Sequence, residues 1–300
     1  MLYTISNIKG REKPAFMKFC KMNGAGNDFI ILNNLEERLP WDRFPDIARV
    51  LCHRHLSIGA DGLMVVERAA GDCDFKMLFY NSDGSQGEMC GNGARCICRY
   101  GYEAGLSGET QRVESPSGTV VGWRVDRRNY RIRLTDPTVI EPDFPLEVDG
   151  TVYPCAYVEL GTPGLPHLVV EIPDLERRTM EDLRPLGASL RAHPKLPKGA
   201  NVNFFQITGP DQVLELTYER GVEDFTYACG TGTGSLVLIL AGRGRVSGED
   251  VRVKVPGGLL RLTVDRDCGG VKGLYLTGPT NVVCRGEVTD EELDAAMRGM

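Results

Sequence analysis

The feature that most constrains this chain is a short cysteine motif that occurs twice. Residues 89–94 read Met-Cys-Gly-Asn-Gly-Ala, and residues 228–233 read Ala-Cys-Gly-Thr-Gly-Thr. Cys90 and Cys229 hold the same place in it, 139 positions apart in a chain of 300. Each copy opens an apolar run, 94–100 or 234–241. A glycine loop running into such a stretch predicts a helix start. Two copies about half a chain apart predict two related halves, each placing one thiol where a loop turns into its principal helix.

That placement has a chemical meaning. A free thiol ionises near pH 8.5, and a helix N-terminus lowers that value, so both thiols are expected to be tuned downward. Gly91, Gly93, Gly230 and Gly232 allow the backbone to approach a bound anion closely, and the N–H groups of a helix start favour one. Two motifs face to face would hold an α-amino acid between two thiols. One would remove the α proton and the other would return a proton to the opposite face, inverting the centre. A single Cys-Gly-x-Gly reads more simply as a structural turn; the repetition is what points to chemistry. The run from Gly230 to Ser235 is not a phosphate loop, because it lacks the lysine and the dinucleotide spacing.

At 42% hydrophobic residues, 300 positions suffice for two domains of ordinary size. A net charge of -6 argues against nucleic acid as the main partner. No apolar run reaches membrane-spanning length, so no membrane partner is expected. Residues 1–15 lack the apolar centre of a secretory signal, which predicts a cytoplasmic protein with residues 1–16 as an extension. The ten cysteines then read as reduced thiols rather than a disulfide framework. Cys90, Cys96 and Cys98 fit neither a zinc pair nor an iron–sulfur run, and His53 and His55 lack further ligands, so no metal is expected.

Strand patterns dominate both halves. Residues 44–52 place Phe44, Ile47, Ala48 and Leu51 on one helical face. Residues 135–145 carry Pro137, Pro142 and Pro145 and read as a linker. Residues 175–190 show helical patches broken by Pro185, and Thr289–Met297 reads as a C-terminal helix. The expected fold class is α/β (α+β): two similar domains, each a mixed or antiparallel sheet wrapped around a central helix. A doubly wound dinucleotide fold is excluded because strands and helices do not alternate regularly. The expected division is 17–134, with the return of 278–300, and 135–277.

Several ordered motifs together resemble the diaminopimelate epimerases. They are Lys21 to Phe29 (KMNGAGNDF), Ile58 to Gly62 (IGADG), Asn81 to Cys96 (NSDGSQGEMCGNGARC), Glu219-Arg220-Gly221 through Gly232, and Pro256-Gly257-Gly258. The matches span about residues 17 to 285. The resemblance implies epimerisation of LL-diaminopimelate to the meso form, in lysine and cell-wall biosynthesis. It implies no cofactor and a site in the cleft between two similar domains. It makes Cys90 and Cys229 the acid/base pair. Gly91, Asn92, Gly230 and Thr231 would bind the reacting carboxylate, and Asn27, Asn81 and Asn201 would contact the substrate. Arg220 would pair with the distal carboxylate and Glu219 would hold an ammonium, roles that suit a planar guanidinium and a carboxylate in general. The partners expected are this small molecule and a second copy of the chain in a homodimer.

One stretch departs from the pattern. Where the family has Gly-Asn-Pro-His, this chain reads Gly161-Thr162-Pro163-Gly164-Leu165-Pro166-His167. Thr162 is the substitute polar contact, and His167 either orients the site or is structural. The altered stretch motivates an alternative, a related racemase or epimerase of another amino acid. A non-catalytic amino-acid-binding protein is the alternative of another class; it needs only one of the two thiols.

Overall fold

The computed structural model describes residues 17–87, 90–289, 291 and 293. The 1–16 extension and most of the expected helix Thr289–Met297 lie outside them. Among the described residues, the first repeat comprises β1 (Met17–Gly24), β2 (Asn27–Asn33), α1 (Asn34–Glu37), α2 (Phe44–Leu51), β3 (Gly62–Glu67), β4 (Phe75–Asn81), α3 (Gly91–Glu103), β5 (Thr110–Ser115), β6 (Gly118–Arg124) and β7 (Asn129–Arg133). Then come β8 (Pro137–Glu141) and a small hairpin, β9 (Leu146–Val148) with β10 (Thr151–Tyr153). The second repeat comprises β11 (Cys155–Leu160), β12 (Leu165–Glu171), α4 (Met180–Arg191), β13 (Asn201–Gly209), β14 (Gln212–Glu219), β15 (Asp224–Thr226), α5 (Gly230–Gly242), β16 (Val251–Val255), β17 (Gly258–Asp267) and β18 (Gly270–Pro279). The last described strand is β19 (Asn281–Val288).

The repeats share one pairing order. Along β1 to β7 the neighbours run antiparallel, parallel, antiparallel, parallel, antiparallel, antiparallel. The series β11, β12, β13, β14, β16, β17, β18 repeats that order step for step. The central helix, α3 or α5, fills the crossover between the fourth and fifth strands. The lobes also exchange strands. β8, which follows the first repeat, pairs with β11 of the second, and β19, which follows the second, pairs with β1 of the first. The final strands of the two repeats, β7 and β18, pair directly. Two wrapped sheets thus merge, among the described residues, into one continuous sheet of 17 strands.

Both faces of each lobe's sheet are covered, which explains strands such as β3 and β11 whose residues are all buried. The inner faces close on α3 and α5 in one shared core that includes Ile97, Cys98, Leu236 and Leu240. The outer face of the first lobe is covered by α2, whose Phe44, Ile47, Ala48 and Leu51 are the buried stripe expected. In the second lobe α4 does the same with Leu183 and Leu190.

Two local readings are corrected. The proline-rich stretch is not bare linker: residues 137–141 form β8, with Pro137 at its first position, where a missing N–H costs no interior ladder bond. Pro185 does not break α4, which runs through it. A reciprocal Thr179–Asp182 cap starts that helix, and packing of its buried residues holds it across the lost bond.

Candidate active site

The two central helices meet at their N-termini. A Cβ on Gly230 would lie 3.5 Å from Gly91 Cα and 2.8 Å from Leu276 Cδ2, so the two helix starts stand within van der Waals reach of each other. Cys90 caps α3 from extended backbone, and its Sγ accepts from Gly93 N at 3.2 Å. Cys229 occupies the same place on α5, its Sγ 3.6 Å from Thr231 Oγ1. The first N–H groups of both helices, including those of Gly91, Asn92, Gly230 and Thr231, have no acceptor within their helix. Two positive helix ends therefore point at one small volume, which is electrostatically poor unless an anion joins them.

Around this point the expected residues fall into groups. Asn92 is buried; its amide donates to Asn27 Oδ1 at 2.5 Å and, across the lobes, to the Ala228 carbonyl at 2.9 Å. Asn27 donates in turn to Asp61 Oδ2 at 3.1 Å, and Asp61 is held by Arg54 at 2.7 Å. Glu219 accepts from Thr226 Oγ1 at 2.7 Å and lies beside Cys229. Asn201 accepts from Arg220 N at 2.8 Å, and the Arg220 guanidinium reaches the Lys198 carbonyl at 2.7 Å. Arg220 forms no ion pair among the described residues. Asn81 stays with its own turn, bonded to Ser85 Oγ at 2.9 Å.

A cleft of about 700 Å³ opens between the lobes beside the helix starts. Gly91, Thr231 and Thr162 line it, together with the turn from Ser115 to Gly118. Thr162 is exposed at the β11–β12 turn. His167 is fully buried, 3.4 Å from Asn203 Nδ2, and burial drives it down to about 3. It is a neutral ring behind the site and cannot act as an acid in the neutral range.

The expected downward tuning of the thiols is overturned. Burial pushes Cys90 up, opposed by the Gly93 N–H and the nearby Arg95. Cys229 is driven further, well above the ordinary value, by burial and then by Glu219. Loss of water outweighs the help of a helix end. Glu219 is itself raised, mainly by burial.

Sequence reasoning missed Arg95, Asp61 and Glu215. Arg95 was visible, with Arg99, as one of two charges inside the helical run that follows Cys90, and Asp61 as the acid of a quoted motif. Glu215 gave no signal before strand register was known.

The fold is the two-lobed fold of several solved isomerases and their relatives. A probable proline racemase from Agrobacterium radiobacter K84 superposes with a TM-score of 0.64 at 15% identity, covering 93% of this chain and 95% of that one. A phenazine biosynthesis PhzF family protein from Enterococcus faecalis gives 0.66 at 14% identity, covering 91% and 99%. The sequence narrows this. The family model described as diaminopimelate epimerase matches residues 19–140 and 161–283. The diaminopimelate epimerase of Aquifex aeolicus is 36% identical over 289 residues, 93% of this chain and 100% of the relative. That of Methanothrix thermoacetophila is 36% identical over 288 residues, 92% and 98%. The chain belongs to the diaminopimelate epimerase family.

Proposed function

We infer that this protein interconverts LL- and meso-2,6-diaminopimelate by moving one α proton, with Cys90 and Cys229 as the acid/base pair and no cofactor. The observation that carries the reading is the meeting of two cysteine-capped helix starts at Gly91 and Gly230. The α-carboxylate sits between the helix ends, taking N–H groups of Gly91, Asn92, Gly230 and Thr231. This aligns the α-carbon between the two thiols, an arrangement that replaces an encounter with positioning. The thiolate on one side removes the proton and the thiol on the other protonates the carbanion from the opposite face. The carboxylate charge that grows at the carbanion stage is stabilised by both helix ends together.

The far end of the substrate accounts for the rest of the site. Glu219 takes an ammonium, Arg220 the distal carboxylate, and Asn27, Asn81 and Asn201 supply neutral polar contacts. Thr162, at the cleft, is the additional contact in place of the family's asparagine. A role in lysine and cell-wall precursor synthesis in the cytoplasm belongs to the same reading.

The test is a substrate panel in deuterated water without added pyridoxal phosphate. Diaminopimelate should incorporate one solvent deuteron at the inverted carbon and turn over faster than any amino acid with one carboxylate. Faster turnover of a simple amino acid would replace this reading with a related racemase. Binding without exchange would replace it with a binding protein.

A further inference from the structure

The equivalence of the repeats exposes a difference that neither copy shows alone. On the inner face of the first lobe, behind α3, stand Phe29, Met64, Met77 and Phe79. Register places Phe29 opposite Gly62, Met64 opposite Phe79, and Val66 opposite Met77. The same register in the second lobe pairs His167 with Asn201, Asn203 with Thr217, and Phe205 with Glu215. The wall behind Cys90 is therefore apolar, whereas the equivalent wall behind Cys229 carries His167, Asn203, Thr217 and Glu215. Contacts at the second motif glycine agree. A Cβ on Gly93 would strike Met64 Cε at 2.3 Å, and one on Gly232 would strike Asn203 Oδ1 at 2.0 Å.

The helices differ in the opposite sense. Five residues after Cys90 stands Arg95; five residues after Cys229 stands Gly234. Arg95 is 0% exposed and forms no ion pair among the described residues. It donates to the Gly91 carbonyl at 3.2 Å and to Asn92 Oδ1 at 2.8 Å, while its Nε has no partner. A buried cation without a counter-charge is costly, so a folded chain that keeps one needs a nearby negative charge at some stage. Glu215 is its inverse: 0% exposed, Oε2 bonded to Thr233 Oγ1 at 2.5 Å, Oε1 unpartnered. Thr233 Oγ1 also reaches the Cys229 carbonyl at 3.0 Å.

We propose that Arg95 is a positioning residue that fixes the first turn of α3 and, with Glu215 opposing it in the other lobe, settles the shared negative charge of the thiol pair on Cys90 and the proton on Cys229. The groups facing Cys90 are Arg95, Cys96 and the Asn92 and Gly93 N–H groups from its own helix, and Glu219 from β14. Those facing Cys229 are Glu219 and Glu215 from β14, with Thr231 and the Gly232 N–H from its own helix. One cation is thus set against Glu219 at Cys90, and at Cys229 Glu219 is joined by Glu215, whose charge appears as pH rises through about 8. Burial lifts both thiols, and this imbalance separates them in the same sense. When the pair gives up one proton, it leaves from Cys90.

This inference rests on the two-thiol reading, and its test needs no turnover. The full chain is alkylated with iodoacetamide across a pH series, and the Cys90 and Cys229 peptides are quantified separately by mass spectrometry. In the wild type the Cys90 midpoint should lie below that of Cys229; the reverse order overturns the proposal. Arg95→Met should raise the Cys90 midpoint by about one pH unit and leave Cys229 in place, whereas Arg95→Lys should keep the wild-type value. Glu215→Gln should lower the Cys229 midpoint alone. Should Arg95→Met not fold, the wild-type order and Glu215→Gln decide. Unmoved midpoints in the folded variants, or equal movement of both thiols, overturn the assignment. Epimerase activity surviving in Cys90→Ala would instead sink the two-thiol reading, and the titration of Cys229 would stand apart from it.

Discussion

Gly257→Ala should damage catalysis from outside the reacting centre. Gly257 lies in the β16–β17 turn and presses on the β1–β2 turn of the other lobe. A Cβ there would sit 1.9 Å from the Ala25 oxygen and 2.4 Å from the Ala25 carbonyl carbon. An ordinary C···O contact is about 3.3 Å, so the turns would have to separate by about 1.4 Å. The atoms struck are backbone, so no rotamer change relieves the clash. The displacement has two outlets. Ala25 and Gly26 lead straight into Asn27, and the Gly257 N–H holds the Tyr227 carbonyl at 2.8 Å, two residues before Cys229. Moving either shifts one half of the proposed site against the other. A displacement of this size costs roughly 10²-fold in rate, and overpacking costs about 1–3 kcal/mol in stability. The assay is steady-state epimerisation with kcat and KM separated, alongside thermal melting. Gly108→Ala is the control, since nothing lies within 4 Å of its Cβ. Wild-type activity and melting in Gly257→Ala would refute the claim that the lobes are held in register by this contact.

Three further outcomes are expected. Cys90→Ala and Cys229→Ala should each reduce epimerisation by at least about 10²-fold while leaving circular dichroism unchanged; full activity in either would remove that thiol from the mechanism. Arg220→Met should weaken diaminopimelate binding by roughly 10- to 100-fold, read as a rise in KM, through loss of a charge-assisted contact; an unchanged KM would place the distal carboxylate elsewhere. Glu215 titrates at about 8 in the fold against 4.5 as a free group, because burial disfavours its charge. Between those values the unfolded chain has released this proton and the folded chain still holds it, so this group's contribution makes stability fall as pH rises, by at most about 1.4 kcal/mol per pH unit. Glu215→Gln should therefore gain on the wild type between pH 5 and pH 8 in denaturant titrations; a constant difference would show the carboxyl to be charged throughout.

The duplicated motif made much of the architecture legible. It located both central helices and both cysteine caps, and the 3.6-residue spacing of Phe44, Ile47, Ala48 and Leu51 found α2. What escaped depended on information no local pattern holds. β8 reads as linker because the prolines in and after it are visible and its partner β11 is not. The contrast between Met64 and Asn203, or Met77 and Glu215, means little until register shows that they occupy equivalent places. The direction of thiol tuning was misjudged for a question of magnitude. A helix terminus contributes about 0.3–1 kcal/mol in exposed settings, and desolvation at a buried group exceeds it. Glu219 and Arg220, adjacent in sequence, have different partners because β14 ends at Glu219 and Arg220 begins the turn after it, bonded to Asn201 and the Lys198 carbonyl.

The exchanged strands set a schedule for synthesis. β1 leaves the ribosome before the other described strands, yet one of its two neighbours is β19, the last of them. Until residues through Val288 have emerged, one edge of Met17–Gly24 stays open to any strand that meets it. β8 leaves early too, and waits only for β11. Completing the first lobe is thus a late event that coincides with completing the second, and a nascent chain stalled between them presents an unpaired edge.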